Sequence, residues 1–235
     1  MKRFTAILCL TLAVLLASTG MSVSQDFEKG GDAFERGDYA TALREWTPLA
    51  EQGDADAQYN LGLMYEQGWG VSQDYRTAVK WYTLAAGQGV ASAQYNLGQM
   101  YRKGEGVLQD YRTTAKWWTL AAEQGHAKAQ YNLGLMYDNG DGVSQDYRTA
   151  VKWYTLAAGQ GDAGAQYNLG FMYYNGDGVL QDHVYAHMWW NIAASLGHEN
   201  ASDNRAIIAT QMTASQIERA QDLARECVRK DYKNC

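Results

Sequence analysis

Proline is all but missing from this chain: one residue, Pro48, in 235. A chain with so few prolines and 24 glycines favours helices separated by glycine turns. Histidine (four) and cysteine (three) are scarce too, so metal and thiol chemistry is confined to a handful of positions. Positive charge is in deficit, with 20 Lys and Arg against 26 Asp and Glu, a net charge of −6. That argues against nucleic acid as a partner, because a phosphate backbone needs net positive surface. The apolar run from Ala6 to Ala17 falls short of the ~18–20 residues of a bilayer-spanning helix. What is present, 46% hydrophobic and 20% charged residues, is ordinary globular composition.

The apolar run follows Lys2 and Arg3 and ends in small residues, with Ser22-Val23-Ser24 offering small side chains to a signal peptidase. Residues 1–24 therefore read as a secretory signal peptide, with an uncleaved anchor as the alternative. Cleavage removes two positive charges and no negative ones, taking −6 to −8, and leaves no membrane span. The expected location is periplasmic or secreted. Cys227 and Cys235 remain as a disulfide candidate in an oxidising compartment. An unbroken helix would hold them ~12 Å apart, too far to bridge. A bridge therefore requires a chain reversal near Asp231–Asn234; free or intermolecular thiols are the alternative.

The pentapeptide QYNLG occurs four times at 36-residue steps, beginning at Gln58, Gln94, Gln130 and Gln166. Four full copies of a 36-residue unit run 54–89, 90–125, 126–161 and 162–197, the mark of a helical repeat array. Each copy holds two helical patterns. In the first, Ala57, Leu61, Met64 and Tyr65 share one face, Asp54 can cap the start and Gly68 the end. A GxGV loop follows. The second helix starts near Asp74 and has Tyr75, Ala78, Tyr82 and Ala85 on its buried side, with Trp81 and Leu84 beside them. Gly62, Gly98, Gly134 and Gly170 fall mid-helix, where glycine costs ~1 kcal/mol against alanine. Their recurrence implies close approach of the partner helix, with Tyr65 and the Trp81–Tyr82 pair supplying the bulk that the small residues receive. Residues 25–53 read as a shorter-looped helix pair in the same frame, with Pro48 expected to kink or break its second helix. Residues 198–235 read as capping helices. Asn204 continues the asparagine frame there, and Thr213 with Gln216 forms a capping box.

The pattern A-x-x-x-L-G-x-x-Y-x-x-G-x-G-V-x-x-D-Y-x-x-A-x-x-W-Y-x-x-A-A-x-x-G resembles the Sel1-like repeat, a relative of the tetratricopeptide repeat, over residues 54–197. The fourth copy departs from it after Asp182. The resemblance implies an all-α, right-handed α-solenoid of antiparallel helix pairs. It also implies a non-enzymatic scaffold or adaptor for protein–protein interaction, without cofactor. Cysteine-rich members associated with β-lactam binding or hydrolysis offer an enzymatic alternative, but they carry cysteine pairs in their repeats and this chain has none in its four copies.

Other chemistry finds little material. His183 and His187 are spaced i, i+4, as zinc ligands can be, yet no third ligand or H-E-x-x-H glutamate accompanies them. The alternative is a surface or groove pair. Asp138–Asp146 lacks the EF-hand ligand positions. Arg76, Lys80, Arg112, Lys116, Arg148 and Lys152 form a basic stripe on the second helices, expected to be a solvated convex face, with an acidic envelope polymer as a minority partner.

By the geometry of tetratricopeptide arrays, the first helices line a concave groove. Its expected wall is Tyr59, Asn60, Leu63, Glu66, Tyr95, Asn96, Gln99, Arg102, Tyr131, Asn132, Leu135, Asp138, Tyr167, Asn168, Phe171 and Tyr174. The asparagine ladder can either hold an extended peptide backbone or tie repeats together. The expected partner is an unidentified protein or peptide, bound by a monomer.

Overall fold

A computed structural model describes residues 26–233 and Cys235. The leader assigned to residues 1–24 lies outside the described residues. Twelve helices make up all regular secondary structure among the described residues. They are α1 (26–35), α2 (Tyr39–Glu51), α3 (Ala55–Gln67), α4 (Tyr75–Gly87), α5 (Ala91–Lys103), α6 (Tyr111–Glu123), α7 (Ala127–Asn139), α8 (Tyr147–Ala158), α9 (Ala163–Asn175), α10 (His183–Ser195), α11 (Ala201–Ala209) and α12 (Ala214–Arg229). This is the all-α, helix-pair solenoid class. Two compact units are distinguished: one runs to Ala93 and includes Gly104–Leu108, the other is Gln94–Lys103 with Gln109–Cys235.

Local chemistry sets each boundary. Asp54 and Asp162 accept from the backbone N–H three residues on, at 2.7 and 2.8 Å, and cap α3 and α9. Asp74, Asp110 and Asp146 cap α4, α6 and α8 and also accept from the hydroxyls of Thr77, Thr113 and Thr149 at 2.6–2.7 Å. Those threonine hydrogen bonds, ahead of the backbone ones, hold the three carboxyls below their ordinary value. First helices end at a left-handed glycine, Gly68, Gly140 or Gly176. The second loop glycine answers a further demand. At Gly106 and Gly178 φ is 72°, and a Cβ there would lie within 3.0 Å of the backbone of Tyr75 or Tyr147, at the head of the preceding second helix. One glutamine per loop, Gln73, Gln109, Gln145 or Gln181, donates back to the first helix's free carbonyl seven residues earlier, at 2.6–2.8 Å.

Three expectations are corrected. α2 is not broken at Pro48; it continues to Glu51, so the proline sits within one turn of the helix end. Leu84 is 49% exposed and Tyr111 42% exposed, so the buried side of the second helix is narrower than its apolar content, comprising Ala78, Tyr82, Ala85 and Ala86 in α4. His187 belongs to the core rather than to a surface or groove, with 3% exposure.

The C-terminal helices close the array by wrapping α10. α11 covers one side through Ala201 and Ile208 against Ala186, Trp190 and Ala193. α12 covers another, with Ala224 and Cys227 against Met188, Trp189 and Ile192. Thr213 and Gln216 cap α12 reciprocally. After α12, Asp231 and Tyr232 adopt φ of 54° and 61°, the chain turns back, and Cys227 and Cys235 are disulfide-bonded with Cα atoms 5.2 Å apart.

This docking accounts for the departure of the fourth copy. Where the third carries Arg148, Lys152 and Leu156 on its outer face, the fourth carries Val184, Met188 and Ile192, all buried. Charged heads there would lose their water without a partner.

Candidate functional site

The four QYNLG words place each letter differently. The glycine forms a socket for an aromatic ring. A Cβ built at Gly30, Gly62, Gly98, Gly134 or Gly170 would lie within 3.0 Å of Trp46, Tyr82, Trp118, Tyr154 or Trp190, respectively. The close approach is thus helix backbone to ring. Trp and Tyr alternate along this series, and each finds its own acceptor. The indole N–H of Trp46, Trp118 and Trp190 donates to the backbone oxygen of Phe27, Tyr95 and Tyr167, each at 3.1 Å. The hydroxyl of Tyr82 donates to Glu66 at 2.5 Å and that of Tyr154 to Asp138 at 3.1 Å. Copies with tryptophan carry Arg102 and Tyr174 where the tyrosine copies carry a carboxylate. Variation at this position, expected to reflect partner recognition, therefore follows the core aromatic. Burial raises the Asp138 carboxyl and the Tyr154 hydroxyl.

The glutamine is buried in every copy. Gln58, Gln130 and Gln166 donate to the oxygens of Ala50, Ala122 and Ala158 at the end of the preceding second helix, at 2.9–3.2 Å. In turn Gln58, Gln94 and Gln130 accept from Gln88, Gln124 and Gln160, thirty residues on, at 2.7–2.8 Å. In the fourth copy that place is Leu196, and the Gln166 Oε1 is buried with no hydrogen-bond partner. This clamp pairs residues far apart in sequence, and only the recurrence of Gln-Gly at the ends of the first three copies could have pointed to it.

The asparagines link one copy to the next. Asn132 donates to the hydroxyl of Tyr95 at 3.3 Å and Asn204 to that of Tyr167 at 3.0 Å. Asn168 lies against the hydroxyls of Tyr131 and Tyr154 in the preceding copy. The tyrosines stack as well, Tyr95 on His126 at 4.6 Å and Tyr167 on His198 at 4.0 Å. Burial raises the hydroxyls of Tyr95 and Tyr131. Asn60 and Tyr59 are half-buried.

Next to this framework lies a half-buried position that changes from copy to copy: Leu63, Gln99, Leu135 and Phe171. Gln99 bonds the Tyr95 hydroxyl at 3.1 Å and accepts from the exposed Arg102 at 2.8 Å. Leu135 packs beside the α8–α10 core, and Phe171 meets Trp190 edge-on at 5.2 Å.

His183 stacks on Tyr174, whereas His187 is buried with Nδ1 unpartnered and its imidazole held below its ordinary value by burial. Among the described residues no group of three or more His, Cys, Asp and Glu is placed to hold a metal ion. No helix among them is long and apolar enough to cross a membrane. Arg112, Lys116, Arg148 and Lys152 are exposed on α6 and α8.

A family model described as Sel1 repeat matches residues 55–90, 91–126, 127–162 and 163–198. Among solved structures, c5321, a protective antigen of uropathogenic Escherichia coli strains displaying an SLR fold, is 32% identical with a TM-score of 0.78 over 93% of this chain. That match covers 49% of c5321, so the chain spans about half of its length. A Sel1 repeat protein from Oxalobacter formigenes is 31% identical with a TM-score of 0.74, covering 86% of this chain and 84% of its own. No curated protein matches the chain in sequence.

Proposed function

The chain belongs to the Sel1 repeat family, whose members are generally non-catalytic protein-interaction scaffolds, and on that premise we propose that it is an adaptor of the cell envelope. It holds a protein or peptide partner against the first helices of its repeats and performs no catalysis. One observation carries this reading. On the first helices glycine, glutamine and asparagine recur for internal reasons, while the adjacent half-buried Leu63, Gln99, Leu135 and Phe171 differ in size and polarity. A scaffold that repeats its frame and varies one lining position suits recognition of an irregular partner. Export is supported by the leader-like N-terminus and by a disulfide, which persists in oxidising compartments.

The test is site-specific photo-crosslinking in intact cells. Photoreactive residues at Leu135 and Phe171 are expected to capture one common partner. The same probe at Lys116 and Lys152, on the second helices, is expected to capture none. Capture from the lysine positions alone would overturn the reading. It would favour a second one, that the exposed Arg112, Lys116, Arg148 and Lys152 hold an acidic envelope polymer, with binding that weakens steeply in salt.

A further inference from the structure

α11 and α12 both pack on α10, and between them they leave an open cleft of about 640 Å³. That volume lies within the range of small-molecule sites. Its apolar wall is aliphatic: Ile192 and Ala194 from α10, Ala224 and Val228 from α12. Val228 is 46% exposed although α12 is otherwise amphipathic, so an apolar surface faces the cleft uncovered. No aromatic ring lines it, and no acidic residue does either.

Three arginines do: Arg205 from α11, Arg225 and Arg229 from α12. On a chain of net charge −6 this is a local reversal of sign. Arg205 is steadied by the side-chain oxygen of Asn191 at 2.6 Å, which accepts one of its five N–H groups. Arg225 is paired with Asp222 in an exposed ion pair, a weak competitor for a ligand. Arg229 makes no ion pair among the described residues.

We infer that this cleft binds a free aliphatic carboxylate, its chain along Ala194, Ala224 and Val228 and its head among the three guanidinium groups. An aliphatic lining takes a flexible chain and offers an aromatic ligand nothing to stack on. Arginine forks match a carboxylate in two-point contact.

Isothermal titration of the full mature protein with dodecanoate, below its micelle concentration, is expected to show one saturable site. Arg225→Gln with Arg229→Gln should weaken binding at least about tenfold without moving the unliganded melting temperature. Val228→Glu should abolish binding. Dodecyltrimethylammonium, with the same chain and the opposite charge, should not bind. The inference is overturned if dodecanoate gives no saturable heat, if the cation binds as tightly, or if both variants bind like the parent. The proposed adaptor role involves α3, α5, α7 and α9 and stands or falls separately.

Discussion

Tyr154 donates its hydroxyl to Asp138, sixteen residues earlier, across the α7–α8 pair at 3.1 Å. Trp118, at the same place in the second copy, has no use for a carboxylate and donates instead to the backbone of Tyr95. Asp138→Ala therefore strands a buried hydroxyl and should cost about 1–3 kcal/mol in denaturant unfolding. Adding Tyr154→Trp recreates the second-copy arrangement and should restore at least half of the loss. A double variant no more stable than Asp138→Ala would show that aromatic and acceptor are not coupled.

Gln166 lacks the glutamine that Gln58, Gln94 and Gln130 each have. Leu196, 42% exposed, stands in its place and buries little. Leu196→Gln is expected to stabilise the protein by about 0.5–1.5 kcal/mol, read as a higher denaturant midpoint at unchanged slope. A lower midpoint would mean that leucine packing outweighs the missing bond.

His126 caps α7 by accepting from Ala129 N–H through Nδ1 at 3.2 Å, which requires a neutral ring. Burial first, then Lys128, holds the imidazole below its ordinary value. The unfolded chain thus takes up its proton at a higher pH than the folded one. Above about pH 6.5 the cap contributes fully; as pH falls from there through the folded value, its contribution is lost. In His126→Asp, which copies the caps Asp54 and Asp162, melting temperature should fall less between pH 7.5 and 5 than in the parent. His187 is common to both proteins and cancels in the comparison. Parallel curves would sink this account.

Asn132 bonds Tyr95 of the preceding copy, and Asn168 lies against Tyr131 and Tyr154 of its own preceding copy. Changing both to alanine should lower stability by roughly 1–3 kcal/mol in total, visible as an earlier thermal transition. An unchanged transition together with weakened partner binding would assign the asparagines to recognition instead.

Much of this architecture is legible in the residues themselves. The 36-residue period, the two helices per copy, the caps at Asp54 and Asp74, and the capping box at Thr213 all follow from local rules. So does the need for space at Gly62 and its equivalents, and so does Tyr82 as one of the rings that fill it. The asparagine at Asn204 stands out as the survivor of a lost motif, and its bond to Tyr167 explains its presence. What stayed hidden depends on pairings that periodicity does not encode. The Gln58–Gln88 clamp joins the ends of a copy. His187 looks like a zinc-spaced histidine and is a core residue, because α10 is wrapped by α9, α11 and α12. The docking of α12 did leave a trace, since Arg148 and Lys152 become Val184 and Met188 together. A joint switch from charged to apolar on an outer face marks a covered face; alone, each change looks like drift of a terminal repeat.

The covered face of α10 also dictates where the array can grow. A further 36-residue copy inserted between Gly161 and Asp162 would meet a complementary neighbour on either side. Its asparagine would bond Tyr131, its tyrosine would receive Asn168, and its glutamines would close on each other. The same insertion after Gly197 would peel Ala224 and Cys227 from Met188 and Ile192, exposing an apolar strip. The molecule can therefore be lengthened from within but not at its C-terminal end.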